Sequence, residues 1–364
     1  MPEYKVGSVE ALRSALAKSH TEDDVVVTFT VADLSADGDH DLRLEKDCKG
    51  VTVRGPVTLR GMRFYCTNVA GAIKLRDVRI RVGASHLEEG GATDAFFAEK
   101  CSDVTLERCT FSDASDEIVS LNYCDNVVID RCIVGDPLHI PTVGDKGEQY
   151  VHKEGKMGSH GYGLRSSAIT NLVITRTLFA NCNCRSPQCN NQGVQKKTSY
   201  ACRVENCVIY NYGDHGFTYN NKSGYEKARA EYKVEFRNNL FVPGPRTNKE
   251  KGSDYEAKEF ECEQPTRMKL DMQGVDTNKI HTGAANAEML VLYEGKTSYV
   301  RSGQGPTESV DGILDNAGCS DHDAQDATLI SAVKRALSSK HQYDNLDPGH
   351  VHLLWPGSGW RNFS

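Results

Sequence analysis

Proline is scarce in this sequence, with 11 in 364 residues, and there are only 2 tryptophans and 6 methionines. So little proline excludes a chain organised around proline-rich linkers and leaves its turns to glycine, of which there are 32, and asparagine. No apolar run approaches the roughly 18 residues a membrane-spanning helix needs, so no membrane partner is expected. A basic surplus is missing as well: 43 Lys+Arg stand against 50 Asp+Glu, a formal charge of −7, which argues against general nucleic-acid binding. The apolar content, 38%, is too high for a disordered chain.

Cysteine is abundant instead. The 13 cysteines favour an oxidising compartment, and because their number is odd at least one thiol has no intramolecular partner. The expectation is a secreted monomer whose export signal is not present in this chain. Cys101, Cys109, Cys124 and Cys132 suit reduced interior positions, whereas Cys182, Cys184 and Cys189 bracket Arg185 closely enough for a local disulfide. Their Cys-x-Cys-x₄-Cys spacing lacks the paired C-x₂-C pattern of zinc sites.

Self-similarity organises the rest. The segment CSDVTLERCTF beginning at Cys101 recurs as CDNVVIDRCIV beginning at Cys124, sharing Cys, Val, Arg and Cys at the same places. Looser copies begin at Ile169, Val204 and Phe236, and the openings at Cys48 and Leu75 are alike. Each unit is a short alternating strand, a polar turn and a second apolar strand. One unit cannot bury its apolar face alone, but stacking at the strand spacing of roughly 4.8 Å places Val104 on Val127 and Leu106 on Ile129 in continuous ladders, with Leu172 next. A repeat of about 23 residues is too short for a propeller blade, and it lacks the leucine–asparagine frame of leucine-rich repeats. It fits an all-β, single-stranded parallel β-helix of one domain. Residues 8–24 form a capping helix started by Ser8, residues 25–245 the coils, and residues 246–364 an irregular tail packed outside, with a helix over Asp326–Leu337.

Six motifs then occur in order: Asp94-Ala; Asp116-Glu117; GSHGYG at 158–163; LFANCNCRSP at 178–187; CVIYNYG at 207–213; and NNLFVPGP at 238–245. In order and spacing this series resembles the pectate lyases of polysaccharide lyase family 1, over about residues 8–250. That resemblance implies a right-handed parallel β-helix, calcium (Ca2+) as cofactor, and cleavage of the acidic polysaccharide polygalacturonate by β-elimination. It makes Asp94, Asp116 and Glu117 calcium ligands and Arg185 the catalytic arginine. Lys156 would hold the substrate carboxylate, with Lys153 as its rival, and His160 would orient the turn or bind sugar hydroxyls.

The chemistry is consistent with these residue types. Removing a proton beside a carboxylate leaves negative charge, which a hard cation held by oxygen ligands and a guanidinium can stabilise. Asp94 precedes Asp116 by one coil, so their side chains can converge on neighbouring rungs. Two departures stand out. Val119-Ser120 replaces a further family carboxylate, and Gln188-Cys-Asn190 replaces a second arginine. A polygalacturonase-type hydrolase and a non-catalytic polysaccharide-binding β-helix are the alternative readings.

Overall fold

A computed structural model describes residues 1–36, 40–83, 93–138, 161–190, 199–213, 215–220, 231–237, 239–242, 244, 247 and 308–338, with the backbones of strands at 258–263, 268–273 and 280–282. Parallel pairing runs throughout. Successive coils contribute one strand to each of three faces. The first face runs Asp41–Leu44, Arg63–Thr67, Phe96–Glu99, Glu117–Asn122, Tyr162–Ser167, Gln188–Asn190 and His215–Asn220, and continues through Lys258–Glu263 to Ile280–Thr282. The second includes Ser102–Glu107, Asp125–Asp130, Leu172–Thr175, Ser199–Glu205 and Glu231–Arg237; the third includes Thr110–Ser112, Ile133–Gly135, Leu178–Ala180, Val208–Tyr210 and Leu240–Val242. The long strands Val51–Arg60 and Ile73–Arg81 turn the corner between second and third faces, so those two faces form one hydrogen-bonded sheet.

The expected ladder is present. Val104 pairs with Val127 and Val127 with Leu172, and the row continues to Cys202 and Val234. Beside it Leu75, Leu106, Ile129, Ile174, Val204 and Phe236 are in register and fully buried. On the first face Leu42, Phe64, Phe96, Val119 and Leu164 form the facing row. Each such side chain contributes roughly 1.5–3 kcal/mol on burial, and the rows fuse into one core.

The repeat's Arg-Cys pair has a corner to explain it. Arg108, Arg131 and Arg176 all adopt left-handed backbone, φ 49–52°, at the end of a second-face strand. That twist turns the arginine out and the next residue in, so Cys109, Cys132 and Thr177 stack inside. Among the described residues every cysteine is a free thiol. Several interior thiols donate to the carbonyl two residues back, as Cys109 does to Glu107 and Cys207 to Glu205.

The ends match expectation in part. Helix α1, Val9–Lys18, begins at Ser8, whose Oγ accepts from the Ala11 N–H at 3.2 Å, and it buries Leu12, Ala15 and Leu16 over the first coil. Strands continue past residue 245 as far as Thr282, beyond the expected end of the coils, because the backbone ladder persists where the apolar repeat fades. Helices α2, Val310–Asn316, and α3, Ala324–Ser338, pack Ile313, Leu314, Leu329 and Val333 onto the outward side chains Ile133, Leu178, Val208 and Tyr210 of the third face.

Charge fastens this cover. Asp326, 1% exposed, accepts from Arg79 Nε at 3.0 Å, Arg81 at 2.9 Å and Thr110 Oγ1 at 3.1 Å. Arg81 also holds Asp323, which caps α3 by accepting from the N–H groups of Gln325 and Asp326. Removing one partner from a buried pair strands the other charges, so Asp326→Ala should lower stability by about 3–5 kcal/mol. Urea unfolding measures this, and a loss under about 1 kcal/mol would mean that the arginines find other partners.

Candidate functional site

One corner of the coil collects the chemistry. Asp94 lies just before the strand Phe96–Glu99, Asp116 just before the next first-face strand, which Glu117 begins, Tyr162 begins the one after, and Arg185 precedes Gln188–Asn190. Successive coils therefore bring to one edge groups that are far apart in sequence. Carboxylate oxygens of Asp94, Asp116 and Glu117 lie within 4.8 Å of one another. Backbone clamps keep them there: Asp94 Oδ1 accepts from the Glu117 N–H at 3.1 Å, and the Asp116 N–H donates to Thr93 O at 3.2 Å.

The cluster is electrostatically unfavourable without a cation. Burial, then the charges of Glu117 and Asp116, push Asp94 well above the usual carboxylate range, although Arg63 opposes this. Burial also raises Glu117, against the pull of Arg185 and Arg165. Three converging carboxylates, two of them with raised pKa values, suit a hard divalent ion.

Arg185 enters this cluster directly. Its guanidinium forms an ion pair with Glu117, which is 5% exposed, and stacks 3.8 Å from the centroid of the Tyr162 ring. The backbone explains the aim. Arg185 has left-handed φ of 63°, and its carbonyl accepts from the Leu164 N–H at 2.6 Å. That approach requires Gly163, where a Cβ would lie 2.5 Å from Arg185 O. The next residue, Ser186, donates its N–H to Gly216 O at 2.9 Å, so the arginine loop is gripped by coils on both sides. Burial alone would lower the Arg185 pKa, but Glu117, followed by Cys184, Tyr162 and Asp116, leaves it raised. Burial, with the charge of Cys184 next, pushes the Tyr162 hydroxyl up to about 12.

The structure thus brings together Asp94, Asp116, Glu117 and Arg185. Lys153, Lys156 and His160 lie outside the described residues. Two groups escaped sequence reasoning. Tyr162 belongs to the GSHGYG motif but showed no partner until it met Arg185. Arg165 is in register between Ser120 and Gln188, alternates with the interior Leu164, and holds down the Glu117 pKa by its charge. It supplies a second cation next to the positions where the family carboxylate and second arginine are replaced. Only the register across the long 139–160 segment could have revealed it.

Comparison with known proteins follows the same lines. Residues 63–245 match the family described as the right-handed β-helix region. No curated protein matches the chain in sequence. Among solved structures it is similar to a pectate lyase from Bacillus sp. in complex with trigalacturonate, with a TM-score of 0.50 and 9% identity over 87% of this chain and 93% of that one. It is also similar to pectate lyase II from Xanthomonas campestris, with a TM-score of 0.49 and 12% identity over 88% of this chain and 94% of that one. For the major cedar pollen allergen the TM-score is 0.48 at 11% identity, over 87% of this chain and 88% of the allergen. At these identities the likeness is one of fold.

The raised Asp94 pKa has a consequence in metal-free buffer. An acid whose folded pKa is raised binds its proton more readily folded than unfolded. Its penalty is therefore absent below the unfolded value near 4, grows as pH rises toward the raised value, and is complete above it. Asp94→Asn should raise Tm at neutral pH, leave it nearly unchanged well below pH 4, and abolish any gain in Tm on adding calcium. Thermal denaturation with and without calcium tests all three; a lower Tm at neutral pH would show that Asp94 already has a compensating partner.

Proposed function

Since the chain belongs to the right-handed β-helix family, with a fold like that of the pectate lyases, we propose that this corner catalyses calcium-dependent β-elimination of (1,4)-α-D-galacturonan. Products would carry a 4,5-unsaturated end. The observation that carries this reading is the convergence of three carboxylates and two arginines on one edge, a set suited to a metal-bridged uronate. The Bacillus neighbour's complex with trigalacturonate supports the same substrate class.

Asp94, Asp116 and Glu117 would hold calcium through oxygen. When bound, that ion supplies positive charge to the substrate carboxylate and so acidifies the adjacent C5 proton. Arg165 offers the carboxylate a cation from the neighbouring rung, a role the family resemblance assigns to a lysine. Arg185 is the group we assign to the C5 proton, its guanidinium held against the Tyr162 ring and its loop packed on Gly163. While Glu117 is its counter-charge, it is poorly suited to accept a proton. Glu117 would have to turn its charge elsewhere first, since it is the chief influence opposing burial, which acts downward on the guanidinium. In that state Arg185 would take the C5 proton, the C4–C5 double bond would form as the C4–O bond breaks, and water would protonate the departing oxygen.

A carboxylate-pair hydrolase fits less well. Such a pair works as separate acid and base or nucleophile, whereas Asp94, Asp116 and Glu117 converge as a set of three with Glu117 ion-paired to Arg185. The non-catalytic reading rests on Val119-Ser120 and Gln188-Cys-Asn190, where the pectate lyases that the sequence resembles offer a further acid and a second arginine.

Incubating the protein with polygalacturonate, with calcium or with a chelator, separates these readings. Elimination gives an ultraviolet-absorbing conjugated product only with calcium, at a rate that climbs into alkaline pH. Arg185→Lys should lower kcat by about 100-fold or more, because the shorter ammonium cannot occupy the same position or stack in the same way. Reducing ends without absorbance would identify a hydrolase, and binding without products a polysaccharide-binding protein.

A further inference from the structure

We infer that Cys189 and Cys202 form a disulfide when the chain folds in oxidising conditions, tying the strand behind Arg185 to the second face of the same coil. The two sulfur atoms meet inside the core at 2.7 Å, and both residues are essentially buried, at 0% and 1% exposure. Their strands, Gln188–Asn190 and Ser199–Glu205, belong to two different faces, so the contact crosses the interior of one coil. Other thiols pair as well, Cys101 with Cys124 and Cys109 with Cys132, but from one coil to the next along a ladder, whereas this pair spans two faces. Cys101, Cys109, Cys124, Cys132, Cys182 and Cys207 each reach the carbonyl two residues back, whereas Cys189 and Cys202 face each other. Neighbouring coils place Ser166 and Tyr219 beside Cys189, and Leu172 and Val234 beside Cys202, so neither has a nearer cysteine along its own ladder.

The step needs a disulfide donor such as glutathione disulfide. The Cys189 thiolate attacks one donor sulfur and releases one glutathione; the Cys202 thiolate then attacks the mixed disulfide and releases the second. Two electrons leave the cysteine sulfurs, the donor S–S bond is replaced by the new one, and both protons end on glutathione thiols. Burial, reinforced by Cys189, holds the Cys202 thiol well above its ordinary value once folded. The bond therefore forms while the coil is still open, and afterwards it is shielded from reductants. Because Cys189 lies four residues beyond Arg185, the cross-link also limits the movement of the arginine loop, whatever reaction the site performs.

The full chain, reduced and unfolded, is refolded in a glutathione redox buffer, and its free thiols are alkylated. Thiol counting after unfolding should give eleven, two fewer than the 13 cysteines of the sequence. Mass spectrometry of an unreduced digest should show Cys189 and Cys202 in one linked species. In Cys202→Ser all twelve remaining thiols should be free. Thirteen free thiols in the refolded wild-type chain, or linkage of Cys189 to Cys182 or Cys184 instead, would overturn the inference.

Discussion

Register between parallel coils is the constraint on which the rest of this molecule depends. Each rung is hydrogen-bonded to the rungs before and after it, so one residue's position along a strand sets which residues stand above and below it. A slip of one residue would turn Val104, Val127 and Leu172 outward together. The left-handed corners at Arg108, Arg131 and Arg176 prevent such slips by ending each second-face strand at the same phase. The same register holds Asp94, Asp116, Glu117 and Arg185 at one edge, which no local sequence element could do.

Opposite charge is used differently at the two ends of this architecture. On the third face Asp326 meets Arg79 and Arg81 in a closed network whose acceptors and donors are paired, and its product is adhesion of α3. On the first face three carboxylates converge at a buried edge where Arg185 pairs with Glu117, and burial, with their mutual repulsion, raises the pKa values of Asp94 and Glu117. A satisfied network stabilises; an unbalanced one is what a candidate cation site requires. This contrast distinguishes a fastening from a candidate site, although both consist of Asp, Glu and Arg.

Legibility in the sequence followed the same physics. Coils without interruptions betray themselves, because Cys101 and Cys124 repeat the phase of Val104 and Val127 one turn apart. The paired acids at 94 and 116–117 were legible for that reason, and the helix α3 through its apolar spacing at Leu329, Ile330 and Val333. Arg165 was not, because the step from Ser120 to Arg165 spans 45 residues and conceals the register. Nor was the Arg185–Tyr162 stack, whose partners belong to different coils and whose contact depends on the absent side chain of Gly163. The later strands were missed because backbone pairing needs no apolar alternation to continue.

Where the long connections enter explains how such a site can arise on a repetitive scaffold. The steps from third face to first, between Arg81 and Phe96 and again between Gly135 and Tyr162, are far longer than the two-residue corners between second and third faces, such as Arg108-Cys109. Corners of that short kind are fixed by one left-handed residue and one inward side chain, so an insertion there would break the interior ladder. At the other corner the flanking strands keep their register whatever the length of chain between them, because neighbouring coils already hold them. Functional side chains are thus free to vary at the one edge where variation does not disturb the core. The carboxylates and arginines collect there because that edge tolerates unfavourable charge that the apolar ladders of the core could not.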